Sequence, residues 1–404
     1  MKAEYATHAA ATRAARDSYG RLLSLLASRG AGLAEAEDAL SDAFLAAMTQ
    51  WPRDGVPKSP DAWLHTVARR RMIDASRRSA RLMDVFPEMT ILMEELSVAD
   101  ATGSLPDRRL ALLLSCADPA VAEANRTALM LNVVLGLSAE EIAPLYLVSS
   151  KTMGQRLVRA KARLREEGVG FREPEPEHLP ERLDPVLDAI YGAYTRSYSA
   201  GGHEHTLTSE AVFLARIVAK LAHTSEAFGL LSLLLYSLAR APARRSPTGA
   251  YIPFEDQNTD LWDRSLLTEA EAALETANSL PRAGRFQLEA AIQSARAAER
   301  LTGNDTRAAV VQLYDHLHHM HPTTVVFLNS LVARSRLSGS AAVIDEIRRL
   351  ETCDGMADYQ PYWAARAAHE AQSGNEREAT RAYSIALGLT RDPAIRAWLI
   401  KKYG

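Results

Sequence analysis

Between Leu137 and Arg165 the residue types and their spacing suit recognition of another molecule, not bond-making. Ser138 and Glu141 stand in the S-x-x-E spacing of a capping box, where hydroxyl and carboxylate each satisfy an orphan amide, so a helix is predicted from near Ala139. A second helix is predicted from Ser149 or Ser150, because Met153, Leu157, Ala160 and Leu164 recur at spacings of three and four as one buried stripe. Lys151, Thr152, Gln155, Arg156 and Arg159 fall largely on the opposite side. This is a helix-turn-helix layout, in which the first residues of the second helix reach base edges and cations farther along hold phosphates. A solvated amphipathic helix with a charged face has the same pattern, and short patterns of this kind match by chance. Two residues strain the pattern. Pro144 lies inside the supporting helix, where an internal proline costs about 3 kcal/mol and bends the element. Gly154 lies in the second helix, where it costs about 1 kcal/mol relative to alanine.

Upstream, Leu33, Leu40, Phe44, Met48 and Trp51 are mostly three, four or seven apart, with Glu35, Glu37, Asp38 and Asp42 between them, which predicts an acidic amphipathic helix. Trp51 to Pro57 stops it, and Pro60 suits the start of another helix because its missing amide is an orphan there anyway. That helix runs from acidic and aromatic to strongly basic. Trp63, Val67, Ile73 and the run Arg69 to Arg71 combine apolar anchors with guanidinium groups, a composition suited to holding a separated nucleic-acid strand. Each feature has a plainer reading. Trp63, one turn from Val67, equally suits a ring packed in the core, Arg77 and Arg78 suit a helical last turn, and Glu37, Asp38 and Asp42 suit a solvated face.

Several pieces then agree in order: Ala36 to Phe44 (AEDALSDAF), Ala62-Trp63-Leu64, Ala68 to Arg71, Asp74, Arg77-Arg78, and the helix-turn-helix ending in Arg159 to Arg165. Together they resemble bacterial RNA polymerase sigma factors of the extracytoplasmic function type, over roughly the first 170 residues. The resemblance implies two modules. Residues 1–80 would be a region 2 domain, whose Glu37, Asp38 and Asp42 dock on core polymerase and whose Trp63, Arg69, Arg70, Arg71, Arg77 and Arg78 contact the promoter −10 element. Residues 105–168 would be a region 4 domain, whose Ser150, Lys151, Thr152, Gln155, Arg156 and Arg159 read the −35 element. Residues 81–104 are the linker between them, and Leu110, Leu113, Leu114, Ala128, Leu129, Leu131 and Val134 are the expected core of the second module, with Cys116 among them.

A Pro- and Glu-rich joint at 169–182 favours extended backbone, and helical patterns then follow one another through 183–404. They are expected over Leu183–Tyr198, Thr208–His223, Ser225–Ala241, Asp260–Ser279, Arg285–Leu301, Thr306–Met320 and Thr323–Leu337. The final stretch, with Tyr362-Trp363, Ala367, Gly374-Asn375, Ala379, Tyr383 and Ala386-Leu387, resembles a tetratricopeptide (TPR) repeat, and Gly339 with Ala341-Ala342 an eroded copy before it. Such stacked pairs form a curved surface for a protein partner. The tail as a whole resembles that of the sigma-factor group with helical-repeat extensions, including the Pro253 to Arg264 segment and the Phe286 to Gln293 helix. His316, His318, His319 and His321 are read as helix C-terminal histidines and not a metal site, since only Asp315 accompanies them. Glu255, Asp256, Asp260 and Asp263 are read as caps and ion pairs with Arg264, since no nucleophile or phosphate loop accompanies them.

The expected fold class is all-α, with a region 2 domain, a region 4 helix-turn-helix domain and a TPR-like regulatory domain. The 404 residues suffice for two to four domains, and two cysteines support neither a disulfide framework nor a cysteine zinc site. No apolar run reaches the roughly 18 residues of a membrane span, so a cytoplasmic protein is expected. A net charge of −3 hides segregation, with basic stretches at 69–81 and 151–165 and an acidic joint. The expected function is promoter-specific initiation with core RNA polymerase and promoter DNA as partners, no enzymatic activity and no cofactor, the tail modulating activity. The alternative is a TPR-type adaptor or a conventional helix-turn-helix regulator that never joins the polymerase; it would have no use for the blocks at 36–44 and 62–78.

Overall fold

A computed structural model describes residues 18–27, 32–80, 109–146, 148–169, 179–199 and 204–403. The expected linker at 81–104, residues 105–108 of the second module and most of the joint, 170–178, lie outside the described residues, as do the side chains of Arg77 and Arg78. The architecture is all-α: among the described residues there is no strand, only one isolated bridge between Arg245 and Tyr251. Two compact units divide the chain, Met1–Ala193 and Tyr194–Gly404.

The first unit holds α1 (residues 18–27), α2 (Leu33–Asp54), α3 (Pro60–Ala80), α4 (Arg109–Cys116), α5 (Glu123–Val133), α6 (Ala139–Ile142), α7 (Ser150–Glu166) and α8 (Leu179–Ser199) as far as Ala193. Helix α2 is seated by Leu33, Ala36, Ala39, Leu40, Ala43, Ala47 and Trp51. Phe44 is only half-buried and Met48 is 46% exposed, so the expected apolar stripe is rotated toward the alanines. Small side chains let helix backbones approach closely, and packing density outweighs side-chain bulk in choosing the buried face. The predicted second-module core is buried throughout, Cys116 included. Arg182 of α8 ties that helix to α4 by donating to the Leu114 carbonyl at 3.0 Å and to Asp118 at 2.7 Å.

The second unit continues with α9 (Glu204–Ala222), α10 (Ser225–Ala239), α11 (Arg264–Ser279), α12 (Arg285–Thr302), α13 (Arg307–Met320), α14 (Thr324–Ser338), α15 (Ile344–Arg349), α16 (Gln360–Gln372), α17 (Glu376–Leu389) and α18 (Pro393–Tyr403). The expected helices are all present, with three shifted starts: α8 and α9 begin four residues earlier, at Leu179 and Glu204, and α11 four residues later. Thr259–Leu261 is a 3-10 turn, and α11 begins only at Arg264, where Asp263 accepts from the Ser265 and Leu266 amides. Helix α10 is buried over most of its length, and a Cβ on Gly229 would collide with the backbone of Phe286 and Gln287. Glu226, one turn earlier, accepts from those same two amides at 3.1 and 3.2 Å, supplying α12 with the cap its own Gly284 lacks.

The loop from Arg240 to Asp263 is held from both sides. The Phe254 ring lies between the guanidinium groups of Arg240 and Arg296, 4.9 and 4.2 Å from its centroid. Glu255 pairs with Arg296 in place of the expected Arg264. Tyr251 meets Trp398 of α18 edge-on, and Arg245 pairs with Asp392, which caps α18 through the Ala394 and Ile395 amides. Helices α16 and α17 form a hairpin whose turn passes through Gly374 at a φ of +78°, and Tyr362, Trp363, Ala367, Ala382 and Ala386 share its core. Upstream of it Gly339 leads into a 3-10 turn and the six-residue α15, which is too short for a full helical pair.

Candidate nucleic-acid interface

Local chemistry sets the two helices of the turn motif where they were expected. Ser138 caps α6: its hydroxyl accepts from the Glu141 amide at 3.2 Å, and the Glu141 carboxylate accepts from the Ser138 amide at 2.9 Å. Pro144 ends the α-helical geometry after a single turn, and Ala143–Tyr146 continues as 3-10 helix, which needs no amide from the proline. Ser149 caps α7 by accepting from the Thr152 amide at 3.1 Å, and Met153, Leu157, Ala160 and Leu164 are its buried stripe.

On α7, Ser150, Lys151, Gln155 and Arg159 are exposed, whereas Thr152 and Arg156 are half-buried. The Thr152 hydroxyl is engaged with Ser149 Oγ at 2.8 Å, so it belongs to the cap as much as to the outer face. Arg156 lies near Tyr146, whose hydroxyl is pushed up by burial while Arg156 pulls it down. Val158, absent from the expected set, is 69% exposed on this helix beside Gln155 and Arg159. Its signal in the sequence is an apolar, branched residue standing off the Met153–Leu157–Ala160–Leu164 stripe. Gly154 is not demanded by packing, since a Cβ there would meet only the Ala139 Cβ at 4.0 Å.

On α3, Trp63 is half-buried with its ring edge-on to the buried Trp51, centroids 5.4 Å apart. Arg69, six residues further along, is half-buried, and Arg70 and Arg71 are exposed. Arg77 and Arg78 fall within α3, beyond its described side chains. The start of α3 is tied to α1 by an ion pair between Asp61 and Arg21.

The three α2 carboxylates expected to dock do not share one environment. Asp38 and Asp42 are exposed. Glu37 faces α7 and accepts from Lys161 Nζ at 2.6 Å, with side chains only 18% and 24% exposed. Tyr19 also hydrogen-bonds Glu37, and burial followed by the neighbouring carboxylate holds its hydroxyl well above the usual tyrosine value. Neither Lys161 nor Tyr19 is an expected site residue, because both meet Glu37 only through tertiary packing: Lys161 is 124 residues away in the chain, and Tyr19 is on another helix.

Among the described residues no group of three or more His, Cys, Asp or Glu is placed to hold a metal. His316 Nδ1 lies 2.9 Å from the Gln312 carbonyl oxygen, and the His318 ring stacks against Phe327 with centroids 5.2 Å apart. No helix among the described residues is long and apolar enough to cross a membrane.

Residues 15–82 match the family described as Sigma-70 region 2, and residues 182–278 match a family of unknown function, DUF6596. Over 379 residues the chain is 35% identical to an uncharacterized protein of Rhizobium meliloti (strain 1021), a match covering 90% of this chain and 88% of that one. No solved structure matches the chain.

Proposed function

Because the chain belongs to the sigma factors of the extracytoplasmic function type with a C-terminal extension, and so to non-enzymatic factors of transcription initiation, we propose that it joins core RNA polymerase and selects promoters through both helical modules. In this reading α2 meets the polymerase through Glu37, Asp38 and Asp42. The basic stretch of α3, Arg69, Arg70, Arg71, Arg77 and Arg78 with Trp63, holds the opened strand of the −10 element by charge and stacking. Helix α7 enters the major groove at the −35 element with Ser150, Lys151, Thr152, Gln155, Arg156 and Arg159. Val158 extends that face with an apolar group of the kind that meets a thymine methyl.

The observation that carries the reading is the capped, stripe-seated α7 with Lys151, Gln155 and Arg159 left exposed, in the same unit as the region 2 match. The free energy of capturing an opened strand offsets that of unpairing it, and the polymerase performs the chemistry. The TPR-like second unit modulates this activity and offers its helical hairpins to a protein partner. Co-migration of the purified chain with core polymerase in gel filtration, lost on substituting Asp38 and Asp42 together by asparagine, tests the docking step. Co-migration that survives this double substitution overturns the assignment of α2. Truncation after Ser199 keeps the Arg182 contact of α8 and tests the tail: transcription that rises marks a restraint, transcription that falls marks a requirement, and an unchanged level removes the modulating role.

A further inference from the structure

Helices α11 and α12 both pack on α10, and between them lies a cavity of about 330 Å³, a size within the range of small-molecule sites. Leu267 of α11 and Ala297 and Leu301 of α12 give it apolar walls, and the buried Tyr236 of α10 closes it from beneath. Its charged groups stand at opposite ends. Arg264, the first residue of α11, is exposed, and among the described residues it has no carboxylate partner: Asp263 is spent on the Ser265 and Leu266 amides, and Glu255 on Arg296. The helix dipole is positive there and adds to the guanidinium charge instead of offsetting it. Two turns along the same face stands Glu271. The Tyr236 hydroxyl donates to its Oε1, and Ser294 donates to Oε1 at 2.9 Å and to Oε2 at 3.2 Å, so the carboxylate is fixed in place with Oε2 the less occupied oxygen. Burial and the bond to Glu271 hold the Tyr236 hydroxyl well above the usual tyrosine value, and it remains a donor. The Thr268 and Thr302 hydroxyls donate to the Arg264 and Ala298 carbonyls at 2.9 and 2.8 Å, which leaves only their lone pairs for a guest.

We propose that this cavity binds a short zwitterion of tripeptide length, with its carboxylate on Arg264, its ammonium on Glu271 and its middle against Leu267 and Leu301. Arg264 and Glu271 are seven positions apart on one helix, a rise of about 10 Å. An extended tripeptide spans roughly the same 10 Å. The guanidinium fork matches a carboxylate, and an ammonium has only donors to offer, which suits Oε2 and the two threonine oxygens. A fatty acid would press an apolar tail on Glu271, and a diamine would press a cation on Arg264, so each is mismatched at one end. The site lies within the second unit and is independent of the polymerase reading, so either stands if the other fails.

Isothermal titration calorimetry on the full chain tests it with two probes of matching span, trialanine and ω-aminooctanoate, and with trialanine blocked at one end or the other. Trialanine should bind, and both its N-acetyl and its C-terminal amide forms should bind about tenfold more weakly or worse. Arg264→Gln should erase the preference for a free carboxylate while keeping that for a free ammonium, and Glu271→Gln should do the reverse. Ala298→Leu, which fills the cavity, should abolish binding. Circular dichroism melts confirm that the variants fold, and Arg264→Gln, at an exposed position, decides alone if the others do not. Binding of ω-aminooctanoate as well as trialanine supports recognition of the two charges alone, and binding of trialanine only supports a peptide as the ligand. Absence of heat with both probes overturns the site, as does binding that ignores the blocked ends or survives Arg264→Gln with its carboxylate preference intact.

Discussion

Arginine does different work at the candidate interface and in the second unit. In the first, Arg70, Arg71 and Arg159 stand exposed on basic helices. In the second, arginines are drawn into internal bonds: Arg216 forks onto Glu269 at 2.7 and 2.8 Å, and Arg348 forks onto Glu370 at 2.8 and 2.7 Å. The extreme case is Glu370, whose side chain is wholly buried and also accepts from Asn375 at 2.9 Å, with Arg366, itself 6% exposed, alongside at 3.7 Å. The lesson is that cationic composition does not mark a nucleic-acid surface. What marks it is whether neighbouring carboxylates consume the charge, and that is legible only where the folded helices show which faces meet.

The largest contrast should come from Glu370→Ala. Removing the wholly buried carboxylate takes away its bonds from Arg348 and Asn375, while Arg348 is part-exposed and keeps Asp345 and Arg366 keeps Glu351, so the second unit should lose about 1.5–3 kcal/mol in urea unfolding. Substituting Arg70 and Arg71 together by alanine should change stability by no more than about 0.5 kcal/mol. A Glu370→Ala loss below about 1 kcal/mol would erase the distinction between the units. Next in size, Arg159→Ala should weaken holoenzyme binding to its promoter by about 1–3 kcal/mol, with relaxed specificity for a base contact or a uniform loss for a phosphate contact. A comparable loss of folding stability in the same variant would show that Arg159 is structural.

Acid should separate the units further. Burial holds His369 below the ordinary histidine value of 6.5, and its Nδ1 lies 2.8 Å from the Ser340 hydroxyl. The unfolded chain then takes up the proton first on acidification, so this contribution is whole above pH 6.5 and is lost as pH falls toward the folded value. The hydrogen bonds from Arg348 hold Glu370 below 4.5, and those from Arg366 hold Glu351 there too. Their contributions are whole above pH 4.5 and vanish as pH drops through the folded values. Calorimetry between pH 7.5 and 5.5 should show the second-unit transition falling, and His369→Gln should flatten that slope; an unchanged slope would remove the histidine from the account. The smallest effect is expected at Gly154→Ala, which should stabilise the first unit by about 0.5–1 kcal/mol, since there is room for the methyl group. Destabilisation would mean that α7 needs glycine for a reason beyond its packing.

Much of the fold was legible where the signal is local. The Ser138–Glu141 capping box, the Met153–Leu157–Ala160–Leu164 stripe and the helix after Thr323 all follow from short-range spacing, and the structure bears each out. Misread elements share a cause. Alanines, not Phe44 and Met48, seat α2, because spacing locates a stripe and only the neighbouring helix decides which flank of it is covered. Asp260 looked like a helix start, but Asn258 captures the Asp260 amide and makes a separate turn, leaving Asp263 to open α11. Within the candidate site, the exposed face of α7 was readable, whereas the bonding of Glu37 to Lys161 and Tyr19 was not. A salt bridge between residues so far apart in the chain leaves no periodic trace.

The central claim is that this chain joins the polymerase and chooses where it starts, and run-off transcription with purified core polymerase and the full-length chain tests it most directly, on candidate promoters that include the one upstream of its own gene. The account predicts a transcript of discrete length that core polymerase alone does not make and that is lost when the −35 or −10 element is scrambled. Absence of such a transcript, together with absence of any binding between chain and core, would contradict it and favour a helical-repeat adaptor that never joins the polymerase.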